Sequence, residues 1–505
     1  MSITKTGEEE DRLNESNSKS QILKSTAIFG SAQVIIVIAG IIRTKVLALL
    51  LGPAGVGISG VYQSTIDLIK AATGFGLGYG GVRDIAAASA SGDTERISKV
   101  VTVLKRWAWA TGILGLIVTI AFSRQLSQAT FGDTDHAIPI SILSVCVLLS
   151  ALATFRSTLL QGFRRIPAMA KSVIWASLGS LAGASVIYYL WGIDGIIPAI
   201  ILVAVLELTI TWLYSKNIQA AKVPLTIAKS FTEGKTIAKL GFFITASLLA
   251  STASMYFVRS FIVRENGLAA VGYFIAAWTI SSLYISAIFN AMGADFFPRL
   301  SSLQDDRAMV KMVNEQTEVG LLLTMPVIIV MISFIDLLVG VFYTREFSVT
   351  ANILSWQLAG DFFKVLSWPL GFLLLAKGKG AIFLIIELVW NLLFCSFVYF
   401  IWDVVGIEVT GVAFLVAYVV YLFVLWVILK RVVRFQWTSR VWKTIYFFLP
   451  VLCLAFLNSR YLHGSARIVS GCLLTIFAAC YSYLYLRNLI NLKSIVSSFR
   501  SQNVF

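Results

Sequence analysis

The chain is 505 residues long, 58% hydrophobic and only 13% charged, with a mean hydropathy of +0.83 and a formal net charge of +15. A water-soluble protein of this length needs far more polar surface, so composition excludes a soluble globular enzyme. The basic surplus suits either nucleic acid or an anionic membrane surface, and its placement along the chain decides between them.

Residues 1–24 ("TGEEEDRLNESNSKS" at their centre) are polar and mixed in charge, and read as a disordered cytoplasmic tail. They hold no apolar core or small-residue cleavage site, so no signal peptide is expected. From Ile22 to Arg487, apolar stretches of about 20 residues recur about fourteen times, each long enough to span a bilayer. This predicts an all-α polytopic membrane protein. Six spans fall in an N-terminal lobe, 25–220, and six in a C-terminal lobe, 237–432, joined by a linker at 221–236. A basic amphipathic stretch, "RVVRFQWTSRVWK", then leads into two further helices and a tail within 433–505. Connections such as "WGIDG" and "WDVVGIE" are barely turns, so no folded extramembrane domain is expected.

When every second loop is assigned to the cytoplasm, 30 of the 41 Lys and Arg lie inside and 5 outside. That split follows the positive-inside bias and places both termini in the cytoplasm of a cell whose inner membrane holds the chain. The basic loops then face anionic membrane lipids, and no nucleic-acid partner is implied. The remaining 6 basic residues are Arg43, Lys45, Lys70, Arg156, Arg259 and Lys364, all within spans.

The chain echoes itself. "LLLGPAGVGISGVY" (Leu49–Tyr62) and "RENGLAAVGYFIAAW" (Arg264–Trp278) share a Gly-x-x-x-Val-Gly core, Gly52, Val56 and Gly57 against Gly267, Val271 and Gly272, 215 residues apart. Arg43 and Arg259 precede the two cores at nearly the same distance, and basic segments led by Arg83 and Arg299 follow them. About six spans separate the copies, so the two lobes should be parallel, with a substrate path between them.

"ALLLGPAGVGISGVYQ" after an arginine-bearing first helix, together with "FPRLSSLQDD" (Phe297–Asp306), resembles the polysaccharide-transport branch of the multidrug/oligosaccharidyl-lipid/polysaccharide exporter superfamily, whose members include Wzx-type O-antigen flippases. The resemblance covers roughly 22–432. It implies two six-helix lobes of the multidrug-exporter and lipid II flippase type plus a C-terminal helix pair. It also implies transfer of an undecaprenyl-diphosphate-linked oligosaccharide from the inner to the outer leaflet by alternating access. Lipid II flippases hold the diphosphate with basic residues on the first two helices, which Arg43 and Lys70 match in kind. The eighth helix, "SSLYISAIFNAMG", carries no cation and departs from those relatives.

A doubly anionic head crossing hydrocarbon needs a cationic, hydrated groove. Arginine serves phosphate with its planar donor fork and lysine with a point charge, so Arg43, Lys70, Arg156, Arg259 and Lys364 are the expected ligands. Asp67 with Lys70, and Asp361 with Lys364, stand three residues apart and so share helix faces as counter-charges. Asp336, Glu207 and Glu387 are the other acids available to couple transport to H⁺ or Na⁺.

"TGFGLGYGG" (Thr73–Gly81) lacks a phosphate-loop lysine and a preceding strand, so ATP is not expected, and the glycines suit a helix interface or bend. Five cysteines in apolar segments show no metal or disulfide spacing and read as small core side chains; no metal or other cofactor is implied. Two alternatives stand beside the flippase. A multidrug/cation antiporter should present a mainly acidic cavity. A membrane glycan polymerase or ligase should carry a large outer loop or a catalytic cluster, and neither is visible. Other polysaccharide-assembly membrane proteins are conceivable partners.

Overall fold

The computed structural model describes residues 3–218 and 242–489, with 226, 230, 232 and 234 between them, and side chains of the first helix from Ala32 onward. Most of the 221–236 linker and the tail from residue 490 lie outside the described residues.

The described residues are helical almost throughout, as a chain in lipid requires, because a helix satisfies its own backbone hydrogen bonds. In chain order the helices are α1 (Ile3–Thr73), α2 (Leu77–Ser91), α3 (Thr94–Ala121), α4 (Ser123–Phe131), α5 (Ala137–Gly162), α6 (Ile166–Trp191), α7 (Ile196–Ser215) and α8 (Phe242–Ser302). They continue as α9 (Asp306–Ser333), α10 (Ile335–Phe342), α11 (Ser348–Ala376), α12 (Gly380–Val405), α13 (Val409–Val432), α14 (Ser439–Tyr461) and α15 (Gly464–Leu489). Among the described residues, 10 continuous stretches are long and apolar enough to cross a membrane. Four of these hold two crossings each, divided by a kink or a short 3₁₀ turn, which gives the fourteen spans expected.

The backbone of α1 runs helical back to Ile3, through the stretch expected as a disordered tail. Glu, Lys, Arg, Leu and Gln are good helix formers, and no proline interrupts residues 3–24.

Two of the kinks carry the duplication. α1 bends at Gly52 (φ 63°, ψ −166°) and α8 at Gly267 (φ 78°, ψ −177°). That region is open essentially to glycine alone, so both elbows depend on the missing side chain. Pro53 opens the second arm of α1, where its lost N–H is not needed. Further along, Gly192 and Gly406 both take positive φ, and each begins a 3₁₀ turn. Asp93 caps α3 by accepting from Glu95 N and Arg96 N, and Asp305 caps α9 by accepting from Ala308 N.

Helix packing divides the chain into two compact units, Met1–Arg264 and Glu265–Phe505. The boundary falls just before the Gly267 elbow, so the first arm of α8 packs with the first unit, although the sequence repeat groups it with the second half. Its partners explain this. Tyr256 OH and Ser260 Oγ meet Thr130 Oγ1 at 2.6 and 3.4 Å, and Arg259 Nη1 donates to Gly60 O at 3.0 Å. In the first unit α5 packs against α3 on one side and α7 on the other, and α1 lies along α6.

In the second unit α11 packs on α13, and α9 lies against α11, α14 and α15. Asn314 of α9 donates to Gln436 O (3.1 Å) and accepts from Thr438 N (2.8 Å), tying down the lead into α14. Arg460 pairs with Glu408, and Arg467 with Asp336, fastening α14 and α15 to the rest of the unit. Of the cysteines, Cys146 is buried as expected of a core side chain, while Cys453, Cys472 and Cys480 are exposed.

Candidate functional site

The first unit contains a half-open cavity of about 530 Å³. Its walls are the second arm of α1, the glycine stretch leading into α2, the middle of α3 and α5, and the first arm of α8. Three charged side chains reach it: Asp67, Lys70 and Arg259. The expected face-sharing of Asp67 and Lys70 is realised, with Nζ 3.8 Å from Oδ1. Gln63 Nε2 donates to the same carboxylate oxygen at 3.0 Å. Arg259 is held by one N–H on the carbonyl of Gly60, and Asp67 lies within its electrostatic reach. Its Nε is buried with no hydrogen-bond partner among the described residues. A guanidinium with one N–H engaged and another unused is a donor fork awaiting an acceptor.

The remaining polar lining comes from hydroxyls, which the charge pattern did not reveal: Ser64, Thr73, Thr111, Thr154, Thr158, Thr245, Ser251 and Thr252. Some bond to their own helix, as Thr73 Oγ1 does to Ile69 O and Thr158 Oγ1 to Thr154 O. Thr245 Oγ1 is buried without a partner among the described residues. The glycine stretch also belongs here. Gly76 (φ 66°) starts α2, and a Cβ on it would fall 2.1 Å from Thr245 Oγ1, so the close approach of α8 requires glycine.

The other expected ligands lie elsewhere. Arg43 sits on the first arm of α1 and donates to Ser180 Oγ of α6 at 3.4 Å; it does not line the cavity. The elbow at Gly52 breaks the helical phase between Arg43 and Lys70, so the two charges do not face one way. Arg156 lies one position past Phe155, about 100° round α5, and lines a separate groove. Glu207, on α7, is within electrostatic reach of Lys70 and Asp67, but α7 contributes nothing to the cavity wall.

In the second unit, Asp361 of α11 is completely buried. Its Oδ2 accepts from Ser281 Oγ (2.8 Å) and Tyr284 OH (2.7 Å), while Oδ1 has no partner among the described residues. Lys364 lies over the rings of Phe414 and Tyr418, 5.6 Å from each centroid, within electrostatic reach of Asp361 and Glu387. Glu387 accepts from Tyr421 OH at 2.6 Å. The serine and tyrosine donors are ordinary residues in apolar runs, and nothing in the sequence singled them out. Asp336, expected among the coupling acids, stands apart from this cluster in its ion pair with Arg467. Among the described residues no group of acids, histidines and cysteines could hold a metal ion.

The model of the family described as "Polysaccharide biosynthesis protein" matches residues 22–304, more than half of the chain. The chain belongs to this family. It is 22% identical to the lipid III flippase of Escherichia coli (strain K12) over 403 residues, 77% of this chain and 94% of that protein. Among solved structures, the lipid II flippase MurJ in an inward closed conformation superposes with a TM-score of 0.68 at 13% identity, over 92% of this chain and 99% of that one. An inward-facing multidrug-resistance MATE transporter gives 0.68 at 14% identity, over 80% and 98%. These likenesses establish the fold anticipated from the motifs.

Proposed function

We propose that this family member is a flippase that carries an isoprenoid-diphosphate-linked oligosaccharide, an O-antigen or related surface-polysaccharide repeat unit, from the inner to the outer leaflet by alternating access. The observation that carries this reading is Arg259, whose Nε is buried and unpartnered in a cavity shared with Lys70. Two cations against one carboxylate favour an anionic cargo over a cationic drug. The hydroxyls around them suit phosphate and sugar oxygens. The similarity to the lipid III flippase points to the same class of cargo.

Asp67 keeps Lys70 and Arg259 partly neutralised between cycles, and a diphosphate would compete with it for both. With the positive-inside loops in the cytoplasm of a bacterium, the head moves outward down the membrane potential. That is worth about 2.3 kcal/mol per charge at 100 mV. Asp361, fully buried with one free oxygen among the described residues, and the partly buried Glu387 are the candidates for an added H⁺ or Na⁺ step.

The test is display of the surface glycan in a native host lacking its own copy, with Lys70→Ala, Arg259→Ala and Arg259→Lys supplied at matched membrane abundance. One charge-assisted hydrogen bond is worth about 1.5–3 kcal/mol, so each alanine should lower display roughly ten- to hundredfold, with lysine at 259 intermediate. Normal display by both alanine variants refutes the cationic cavity.

A further inference from the structure

The groove that holds Arg156 is a second void in the first unit, about 410 Å³. It is floored by α5 (Leu152, Phe155, Arg156) and flanked by Lys105 and Trp109 of α3 and by Thr209 and Trp212 of α7. The packing creates it, because α5 is sandwiched between α3 and α7, which make no comparable contact with each other. Its residues on α5 and α7 lie toward one end of the bundle, while Lys105 and Trp109 sit 11 and 15 residues into α3, which leaves that end. Arg156 is six residues before the end of α5 and Trp212 three before the end of α7.

Four features define this groove. Among the described residues no acid lines it, whereas Asp67 offsets the cations of the cavity. Among the described residues neither Lys105 nor Arg156 has a hydrogen bond or ion pair; the guanidinium only lies over the Phe155 ring, 5.5 Å from its centroid. Its rim is open, with Trp109 45% and Trp212 44% exposed. On α3, Lys105 and Trp109 each follow by one position Leu104 and Ala108, which face the cavity, so the groove looks out of a different side of the helix.

An arginine in an apolar span that is unpaired among the described residues calls for an anion from outside them. Tryptophans are the side chains that settle at the level of lipid headgroups, and basic pockets between helices at the inner face take anionic headgroups. We infer that this groove binds the phosphate headgroup of one anionic glycerophospholipid of the inner leaflet. Arg156 and Lys105 hold the phosphate, and Trp109 and Trp212 bracket the glycerol and upper acyl chains. The leaflet follows from the loop-charge orientation, and the site is independent of what the cavity carries.

The experiment uses the full chain purified in mild detergent, with phosphatidylglycerol or phosphatidylcholine titrated in and bound lipid counted by native mass spectrometry. The wild type should retain one phosphatidylglycerol per chain and discriminate at least fivefold against phosphatidylcholine. The Lys105→Gln/Arg156→Gln double variant should lose that preference while its phosphatidylcholine uptake stays the same, and Arg156→Lys should keep much of it. Millimolar inorganic phosphate should not displace the lipid. Unchanged preference in the double variant, or none in the wild type, overturns the proposal. So does stoichiometric displacement by farnesyl diphosphate, which would return Arg156 to the cargo path. If the double variant does not fold, the single change at exposed Lys105 decides: it should lower the preference measurably, and no change refutes the site.

Discussion

Removing the cation from the buried cluster of the second unit, with Lys364→Met, is expected to destabilise the protein. Asp361 is fully buried, with two donors on Oδ2 and none on Oδ1, and Glu387 has Tyr421 on one oxygen. Lys364 is the cation within electrostatic reach of both acids. Breaking a directly paired buried charge costs about 3–5 kcal/mol; Lys364 acts on the acids from a distance, so its loss should fall below that range. Part of that loss has a different origin: Lys364 lies over two aromatic rings, and cation–π contacts contribute about 0.5–2 kcal/mol. Adding Asp361→Asn removes one carboxylate, while the amide oxygen still accepts from Ser281 and Tyr284. The double variant should therefore recover about 1–3 kcal/mol relative to the sum of the singles, but not the cation–π share. Equilibrium unfolding in mixed micelles across the four proteins reads this coupling. Penalties that simply add, within about 0.5 kcal/mol, would show that Lys364 and Asp361 act separately.

Gly267→Ala should cost about 1–3 kcal/mol by backbone strain alone, since an added Cβ meets nothing within 4 Å. Gly40→Ala, in regular helix with the same open surroundings, should cost nothing, and the difference in unfolding midpoint checks the pair. Asn314→Ala removes both hydrogen bonds to the 433–438 lead and should cost about 1–3 kcal/mol, read as faster proteolysis between α13 and α14. Asp67→Asn should bind farnesyl diphosphate more tightly, by up to roughly fivefold for a half-exposed counter-charge; weaker binding would contradict its role as competitor.

The spans and the duplication were legible because both depend on local pattern. Apolar length marks a crossing helix wherever it packs, and the Gly-x-x-x-Val-Gly core marks an elbow that only glycine can make. The charges of the cavity were legible in kind, since an ion in an apolar run stands out. Their directions were less so. Lys70 and Asp67 could be paired by counting three residues along one arm, but no count carries helical phase from Arg43 across Gly52. Arg156 missed the cavity by a single position. The stripe Val147, Ala151, Thr154 and Thr158 does face it, yet such a stripe looks like any packed helix until its neighbours are in place. Ser281, Tyr284 and Tyr421 were hidden for the same reason: their value lies in what stands opposite them, many residues away in the chain.

Phe155 lines both voids of the first unit and is itself 7% exposed. At that level one benzene ring separates the two spaces. Shrinking that ring would merge them. Under the proposed function, the barrier between the cargo cavity and the groove rests at this point on the bulk of one side chain that lines both.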